Sequence, residues 1–515
     1  MKRNLLKVIG ISFFIFVILS WIIPVGTYTS GKLTTSGIDP VGLGDLFNKP
    51  ISAVVTFALY GVVFAVIGGF YGVVEETGAL EKVVKKMSKK FEGKENKFLV
   101  LTIVLFILLS SLTGLIIPLF VLVPLFAFVL FELNFDKITV MASTVGSLLI
   151  GSVASTYGFN ISGYTKNLLS LDMNFQIVPK IIILIILILL FSLWTIKNSK
   201  KVVKKVEVKE SKKAEEKKEV KNVEKTASKK STSRKSSVKK STTRKTPRKS
   251  NTKALAVIPD VLKVGKKDHI KGTAFVLLLV LMLLVAFLGM YNWYYSFGID
   301  AFSNFHEAVI GVKIKDFAIF ESLLGGISQL GYWSNIEFAA LLIFTSMVIA
   351  FIYKLSVDEY VESFIAGMKK WLPTAIYSTL ASVILVILYQ SLQGGSGTIV
   401  NTISDKIFDL VDGFNPIITG VASFIGSFFL NDLYYLLAGL SSFVSGYKGT
   451  DLSVAGLVIQ SVYGVAMMIF PTSVILISGL SLFDISYKDW IKYIWKFALI
   501  TLLLVLVVCS IVVLL

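Results

Sequence analysis

Phe470-Pro471-Thr472-Ser473-Val474-Ile475-Leu476-Ile477-Ser478 lies inside an apolar run that extends over 451–478. A proline and two hydroxyl residues there interrupt what would otherwise be one membrane helix. In hydrocarbon every backbone N–H and C=O needs an internal partner, so a break is tolerated only inside protein or beside a water-filled cavity. A second break, Gly151-Ser152 through Gly158, interrupts the run 138–163 in the first half of the chain. Paired discontinuous helices are how secondary transporters build substrate and ion sites at the bilayer midplane. The pair predicts a carrier.

Composition agrees. Hydrophobic residues make up 54% of the 515 and mean hydropathy is +0.76, above the roughly 45–50% apolar content of soluble domains. Several segments exceed the roughly 18 apolar residues that suffice to span a bilayer. Spans are expected at 4–26, 51–77, 138–163, 177–197, 269–291, 335–355, 372–392, 451–478 and 490–514. The run from Leu5 to Val25 follows Lys2, Arg3 and Lys7 but lacks a small-residue cleavage site, so it is read as a retained first helix. Two further stretches, 98–133 and 416–446, have polar centres and are read as re-entrant hairpins. Their expected tips are Ser110-Ser111-Leu112-Thr113-Gly114 and Gly426 to Tyr434. The fold class is therefore an all-α polytopic membrane protein of about nine transmembrane helices plus two re-entrant hairpins.

Most of the +19 charge comes from residues 201–253, where 21 Lys and Arg face 6 Glu. With almost no large apolar content, this segment cannot bury enough surface to fold and reads as a disordered cytoplasmic linker. It divides the chain into a first membrane half (1–197), a linker (198–268) and a second membrane half (269–515). Short cytoplasmic loops concentrate Lys and Arg. The outer segments 27–50, 164–176 and 393–415 carry only Lys32, Lys49, Lys166 and Lys406. The N-terminus and linker are thus expected inside a plasma or inner membrane, and the C-terminus outside. The linker has three readings: a solvated tether, a contact with anionic lipid, or a phosphate-driven contact with nucleic acid, the last least expected.

Both halves share one order: span, amphipathic segment, hairpin, broken span, plain span. The units start at 51 and 372 and enter from opposite faces, which predicts an inverted-topology repeat. The amphipathic segments are 79–92 and 396–412. In the first, Leu80, Val83, Val84 and Met87 face away from Lys82, Lys85, Lys86 and Lys89, as in a helix lying at the membrane interface.

Candidate ligands follow from the breaks and tips. Half-helix N-termini favour an anionic group, and freed carbonyls and hydroxyls can hold Na⁺. At the breaks these are Ser152, Ser155, Thr156 and Asn160, and Pro471, Thr472 and Ser473, with Ser155, Thr156, Thr472 and Ser473 the expected Na⁺ positions. Their hydroxyls could instead simply join neighbouring helices. Ser110, Ser111, Thr113 and Gly114 form a polar island that either meets substrate or is an ordinary turn with locally satisfied hydroxyls. Asn431 and Asp432 are sharper, because an acid deep in the bilayer is normally functional or paired; a shallow hairpin would leave Asp432 wet at the outer surface. Glu75 and Glu76 are expected at a solvated cytoplasmic end, and Gly68, Gly69 and Gly72 in helix packing. Lys180, at the outer start of a span, is expected to snorkel.

Several classes are excluded. Of the two histidines, His269 stands at the very edge of a span and His306 outside the spans, and Cys509 is the one cysteine; no metal-ligand cluster or Ser-His-Asp set is available, so an enzyme is not expected. Without a P-loop motif, direct ATP coupling within the chain is not expected either. No cofactor is expected beyond Na⁺ or H⁺ as coupling ion.

WIIPVGTY from Trp21, IGGFYGVVEETGALEKVV from Ile67 and PTSVILISGLSLFDISYKDWIKYIWKF from Pro471 resemble the YfcC-like branch of the DcuC anaerobic carrier family, within the ion-transporter superfamily. The resemblance covers most of both membrane halves and excludes the linker. It implies a scaffold, a mobile core bearing two hairpins, an elevator-type movement and a homodimer. Members are described as carriers of C4-dicarboxylates, short-chain carboxylates or basic amino acids. Three stretches depart from relatives. Ser155-Thr156-Tyr157-Gly158-Phe159-Asn160 has Gly158 and Phe159 where Asn and Pro are usual. Leu115, Ile116 and Ile117 stand where the first tip is glycine-rich and then acidic, and FFLNDLYY replaces a Ser/Gly-rich second tip. The function implied is secondary transport of a small carboxylate or amino acid. The alternative is a non-transporting scaffold that displays the basic linker. Substrate sign stays open, since helix N-termini favour carboxylates while Asp432 and the lack of an arginine in any span favour an amine.

Overall fold

The computed structural model describes residues 3–29, 32–201, 272–315, 317–393 and 397–515. Beyond Lys201, the polybasic segment lies outside the described residues, as does His269.

Helices dominate, and seven of those described are long and apolar enough to cross a membrane. They become eight when Val357–Leu380 and Val383–Tyr389, which meet at 41°, are taken as one bent span. The expected first span appears as the shorter apolar helix Leu5–Ser20. Glu95–Thr113, expected as one arm of a hairpin, is itself long enough to span.

The repeat order is present in the helices. In the first half, Ala58–Thr77 is followed by the amphipathic Ala79–Lys90 and by a hairpin made of Glu95–Thr113 and Leu122–Glu132. The broken helix follows as Lys137–Val153, resuming at Phe159 and ending at Leu169, and then the plain span Ile177–Asn198. In the second half, Val383–Gln393 precedes Ile399–Phe408, the hairpin Pro416–Phe429 and Leu433–Val444, the broken helix Thr450–Met467 and Val474–Phe483, and the plain span Tyr487–Leu514. Leu80, Val83 and Val84 are buried while Lys85, Lys86 and Lys89 are exposed, so the amphipathic reading of 79–92 describes its packing.

Three boundaries differ from expectation for local reasons. The span expected at 51–77 divides at Phe57 into Leu43–Thr56 and Ala58–Thr77. The span expected from 372 begins at Val357, because Ser356 caps the Glu359 N–H and Glu359 answers with a bond to the Ser356 N–H, a capping box that starts a helix regardless of hydropathy. The segment 27–50, expected outside, takes part in a hairpin of two antiparallel strands, Gly26–Thr29 and Lys32–Thr35, and Gly26 bridges to Thr398.

Ala58–Thr77 lies along Val357–Leu380, with Gly68, Gly72 and Gly367 at the crossing and Trp371 fully buried. Small residues let membrane helices approach closely. At one end of this pair Glu75 is only 8% exposed and accepts from Lys370 Nζ at 2.5 Å. That corrects the expected solvated end, because the opposite charge sits on a helix about 300 residues away in sequence.

Candidate functional site between two hairpin tips and two helix breaks

The first break occupies residues 154–158, between Ser147–Val153 and a π-helical turn Phe159–Gly163. It is joined to the first hairpin tip. Ser111 Oγ donates to Ala154 O at 2.6 Å and lies 3.2 Å from Thr156 Oγ1. Ser111 O in turn accepts from the N–H groups of Thr156 and Gly158, both at 3.1 Å. Ser110 Oγ donates to Leu148 O at 2.7 Å. Gly114 turns the tip with a positive φ of 68°, and a Cβ on Gly158 would lie 2.9 Å from Gly114 Cα and 2.6 Å from Ser155 Oγ. Gly158, with no side chain, is what permits this approach.

The second break spans Met468 to Ser473, and side chains partner its freed carbonyls. Trp490 Nε1 donates to Met468 O at 2.9 Å and Tyr487 Oη to Ile469 O at 2.5 Å. The Ser-Tyr-Lys-x-Trp motif thus seals the proline break from the following helix. Asn431 Nδ2, at the second hairpin tip, donates to Thr472 O at 2.5 Å and to Ser382 Oγ at 3.2 Å. Ser473 Oγ caps the next helix by accepting from Leu476 N at 3.3 Å. Among the described residues, two buried oxygens at this break and its tip are left without a partner, Asn431 Oδ1 and Thr472 Oγ1.

Between tips and breaks lies a cavity of about 520 Å³. Gly114 to Pro118 and Asn431 to Leu433 line it from the tips, Phe159 to Ile161 and Val474-Ile475 from the helices resuming after the breaks. Thr56, Phe57, Leu59 and Tyr60, Trp333 to Asn335, Ser382 and Leu385 close it from the remaining segments, with Tyr164 and Tyr463 beside them. Asp432 is the one charged residue in this lining among the described residues, and its Oδ1 accepts from Tyr434 N at 2.9 Å.

Of the expected ligands, Gly114, Asn160, Asn431 and Asp432 therefore face the cavity. Ser110, Ser111, Ser155, Thr156, Pro471, Thr472 and Ser473 stand behind it, in the joints between tips and breaks. Ser152 donates within its own helix to Leu149 O at 2.6 Å, and Thr113 to Leu109 O at 2.7 Å, so those two serve local backbone. Asp432 is half-buried at the cavity.

Lys180 overturns the snorkelling expectation. It is fully buried, its Nζ lies 3.3 Å from the Phe175 ring centroid, and it donates to Ser162 Oγ at 3.3 Å. The side chain points into the bundle because Ser162 and an aromatic face replace water there. Sequence reasoning also passed over Ser162, Gln460 and the tyrosines 60, 164 and 463. Gln460 carried a usable signal, being an amide in the middle of an apolar helix, where polar side chains are costly unless partnered.

A family model for the C4-dicarboxylate anaerobic carriers, DcuC, matches residues 4–241 and 238–515. The chain belongs to the DcuC family. It is a multi-pass membrane carrier and not an enzyme. Among solved structures, the YdaH transporter of Alcanivorax borkumensis is similar at 12% identity, covering 98% of this chain and 97% of that chain with a TM-score of 0.34. No curated protein matches this DcuC-family chain.

Proposed function

We propose that this carrier moves a small amino acid together with Na⁺ across the cell membrane by alternating access. One observation carries the substrate class: among the described residues Asp432 is the sole charge lining the cavity, with no Lys or Arg beside it. A substrate ammonium would face that carboxylate, and the tyrosines 60, 164 and 463 supply π-faces of the kind that hold cations. The substrate carboxylate would meet the N-terminus of Val474–Phe483, whose first residues line the same space and whose free N–H groups suit an anion. Na⁺ fits the second break, where Asn431 Oδ1 and Thr472 Oγ1 are hard oxygen donors left unpartnered. The positive-inside pattern supports a cytoplasmic N-terminus and polybasic segment. The tips, joined to the breaks, would travel as the mobile core.

A second reading, a C4-dicarboxylate as the family description has it, is favoured by the same helix N-terminus. Uptake into proteoliposomes separates the two. Labelled arginine, ornithine, glutamate, succinate and acetate are each offered with and without a Na⁺ gradient. The expected result is Na⁺-driven uptake of an amino acid, lowered about 10–100-fold by Asp432→Asn, since a hydrogen bond to a charged group contributes about 1.5–3 kcal/mol. Succinate uptake that survives Asp432→Asn would establish the dicarboxylate reading instead.

A further inference from the structure

The first break differs from the second in a way the carrier reading leaves unused. Four of its carbonyls are engaged by protein donors: Ala154 O by Ser111, Ser155 O by Ser162 Oγ at 2.8 Å and Gln460 Nε2 at 3.1 Å, Tyr157 O by Tyr291 Oη, and Gly158 O by the N–H groups of Ile161 and Gly163. Behind Ser162 and Gln460 stands Lys180, whose ammonium donates to the same Ser162 hydroxyl. Lys180, Ser162, Ser155 and Gln460 are each fully buried. Among the described residues Lys180 forms no ion pair; its other neighbour is the Phe175 ring.

A lysine this deep in a membrane protein, facing a hydroxyl and a ring rather than a carboxylate, is costly to keep and is normally functional. Its environment is a broken helix whose hydroxyls and carbonyls turn inward, which is the electrostatic setting of a cation site in a discontinuous helix. Here the cation is covalently attached. Gln460 belongs to Thr450–Met467 of the second half, so the network also fixes one half's break against the other half's broken helix.

We propose that the Lys180 ammonium is the built-in cation of the first break, standing where a coupling ion would otherwise bind, so that the carrier takes up its Na⁺ at the second break alone. This rests on the Na⁺-coupled reading above. Lys180 acts through Ser162 and Ser155 and is a positioning residue, with no contact to the substrate cavity.

The test uses the purified full-length protein, titrated with NaCl against choline chloride while thermal unfolding is followed. Wild type, Lys180→Arg and Lys180→Met are compared, with Na⁺-driven uptake measured on the same preparations. Wild type and Lys180→Arg are expected to respond to Na⁺ with a slope of about one, because the Hill slope is bounded by the number of sites. Lys180→Met is expected to unfold at lower temperature in choline and to regain stability in Na⁺ more steeply than wild type, with uptake reduced at low Na⁺ and recovered at high Na⁺. Should Lys180→Met fail to fold, Lys180→Gln, which keeps a donor without the charge, decides the same point. An unchanged Na⁺ response in the uncharged variants, or Lys180→Arg behaving like them, overturns the proposal. A wild type indifferent to Na⁺ overturns the coupling reading first and the proposal with it, so the two failures are told apart.

Discussion

The two helix breaks occupy matching positions in the repeat, yet they are finished differently. At the first, the hairpin tip and the break exchange hydrogen bonds that leave no buried side-chain oxygen of the break unpartnered among the described residues, and the Lys180 side chain stands behind them. At the second, aromatic side chains from the last helix seal two carbonyls and Asn431 a third, while Asn431 Oδ1 and Thr472 Oγ1 stay unpartnered. A buried polar atom without a partner costs about 1–3 kcal/mol, so its retention calls for an absent partner. On the proposed reading, one repeat is built as a joint and the other as a site. The proposed function makes this asymmetry the division between holding the core together and binding.

The comparison breaks most severely at Gly158. Gly158→Ala would drive a Cβ to 2.9 Å from Gly114 backbone, and neither chain segment can yield without losing the bonds to Ser111. Overpacking of this kind costs about 1–3 kcal/mol even where flexible side chains can give, so here a loss at or above that range is expected, read as a reduced yield of monodisperse protein and a lower Tm. A tolerated Gly158→Ala would mean that tip and break are not held against each other.

Ser111→Ala is next. It removes the donor to Ala154 O and leaves that carbonyl buried and unpaired, a penalty of about 1–3 kcal/mol. The outcome that sharpens the contrast is a lower Tm with the Na⁺ concentration for half-maximal uptake unchanged. A shift in that concentration instead would make the first break an ion site after all.

How much of this could be read beforehand depends on whether the determinant is local. The breaks could, because Pro471 and the Gly151–Gly158 stretch alter backbone bonding where they stand. So could the amphipathic helix at 79–90, whose faces follow from helical spacing alone. The resemblance carried by Pro471 to Phe497 held as well, and its Tyr487 and Trp490 reach back past the single helix Val474–Phe483 to the carbonyls they seal. Lys180 and Glu75 could not. Each looked like a helix end near water, and each is buried by a partner distant in the chain or in the fold, Glu75 by Lys370 and Lys180 by Ser162 and Phe175. The cavity's tyrosines were equally hidden, since Tyr60, Tyr164 and Tyr463 converge only once both repeats have packed. The start at Val357 was locally written in Ser356 and Glu359, but a hydropathy window does not register a capping box.

The smallest effect on stability is expected at Thr472, and it separates the two breaks most cleanly. Thr472 Oγ1 donates to nothing and accepts from nothing among the described residues, so Thr472→Ala removes no hydrogen bond; it relieves a buried unpaired oxygen. Asn431 Nδ2 still reaches the Thr472 carbonyl, which the substitution leaves in place. In Na⁺-free buffer the Tm should therefore not fall, because relief of a buried unpaired oxygen, about 1–3 kcal/mol, offsets the packing lost with the side-chain methyl. If that hydroxyl is an ion ligand, the missing contact appears only when Na⁺ is present. The Na⁺ needed for half-maximal uptake then rises, and the gain in Tm on adding NaCl shrinks. Valine at 472, which keeps the branched shape without the oxygen, should behave as alanine does, whereas serine should restore the Na⁺ response. A Thr472→Ala protein that is destabilised without Na⁺ and unaltered in its Na⁺ response would make the second break a joint like the first, and the asymmetry between the repeats would be gone.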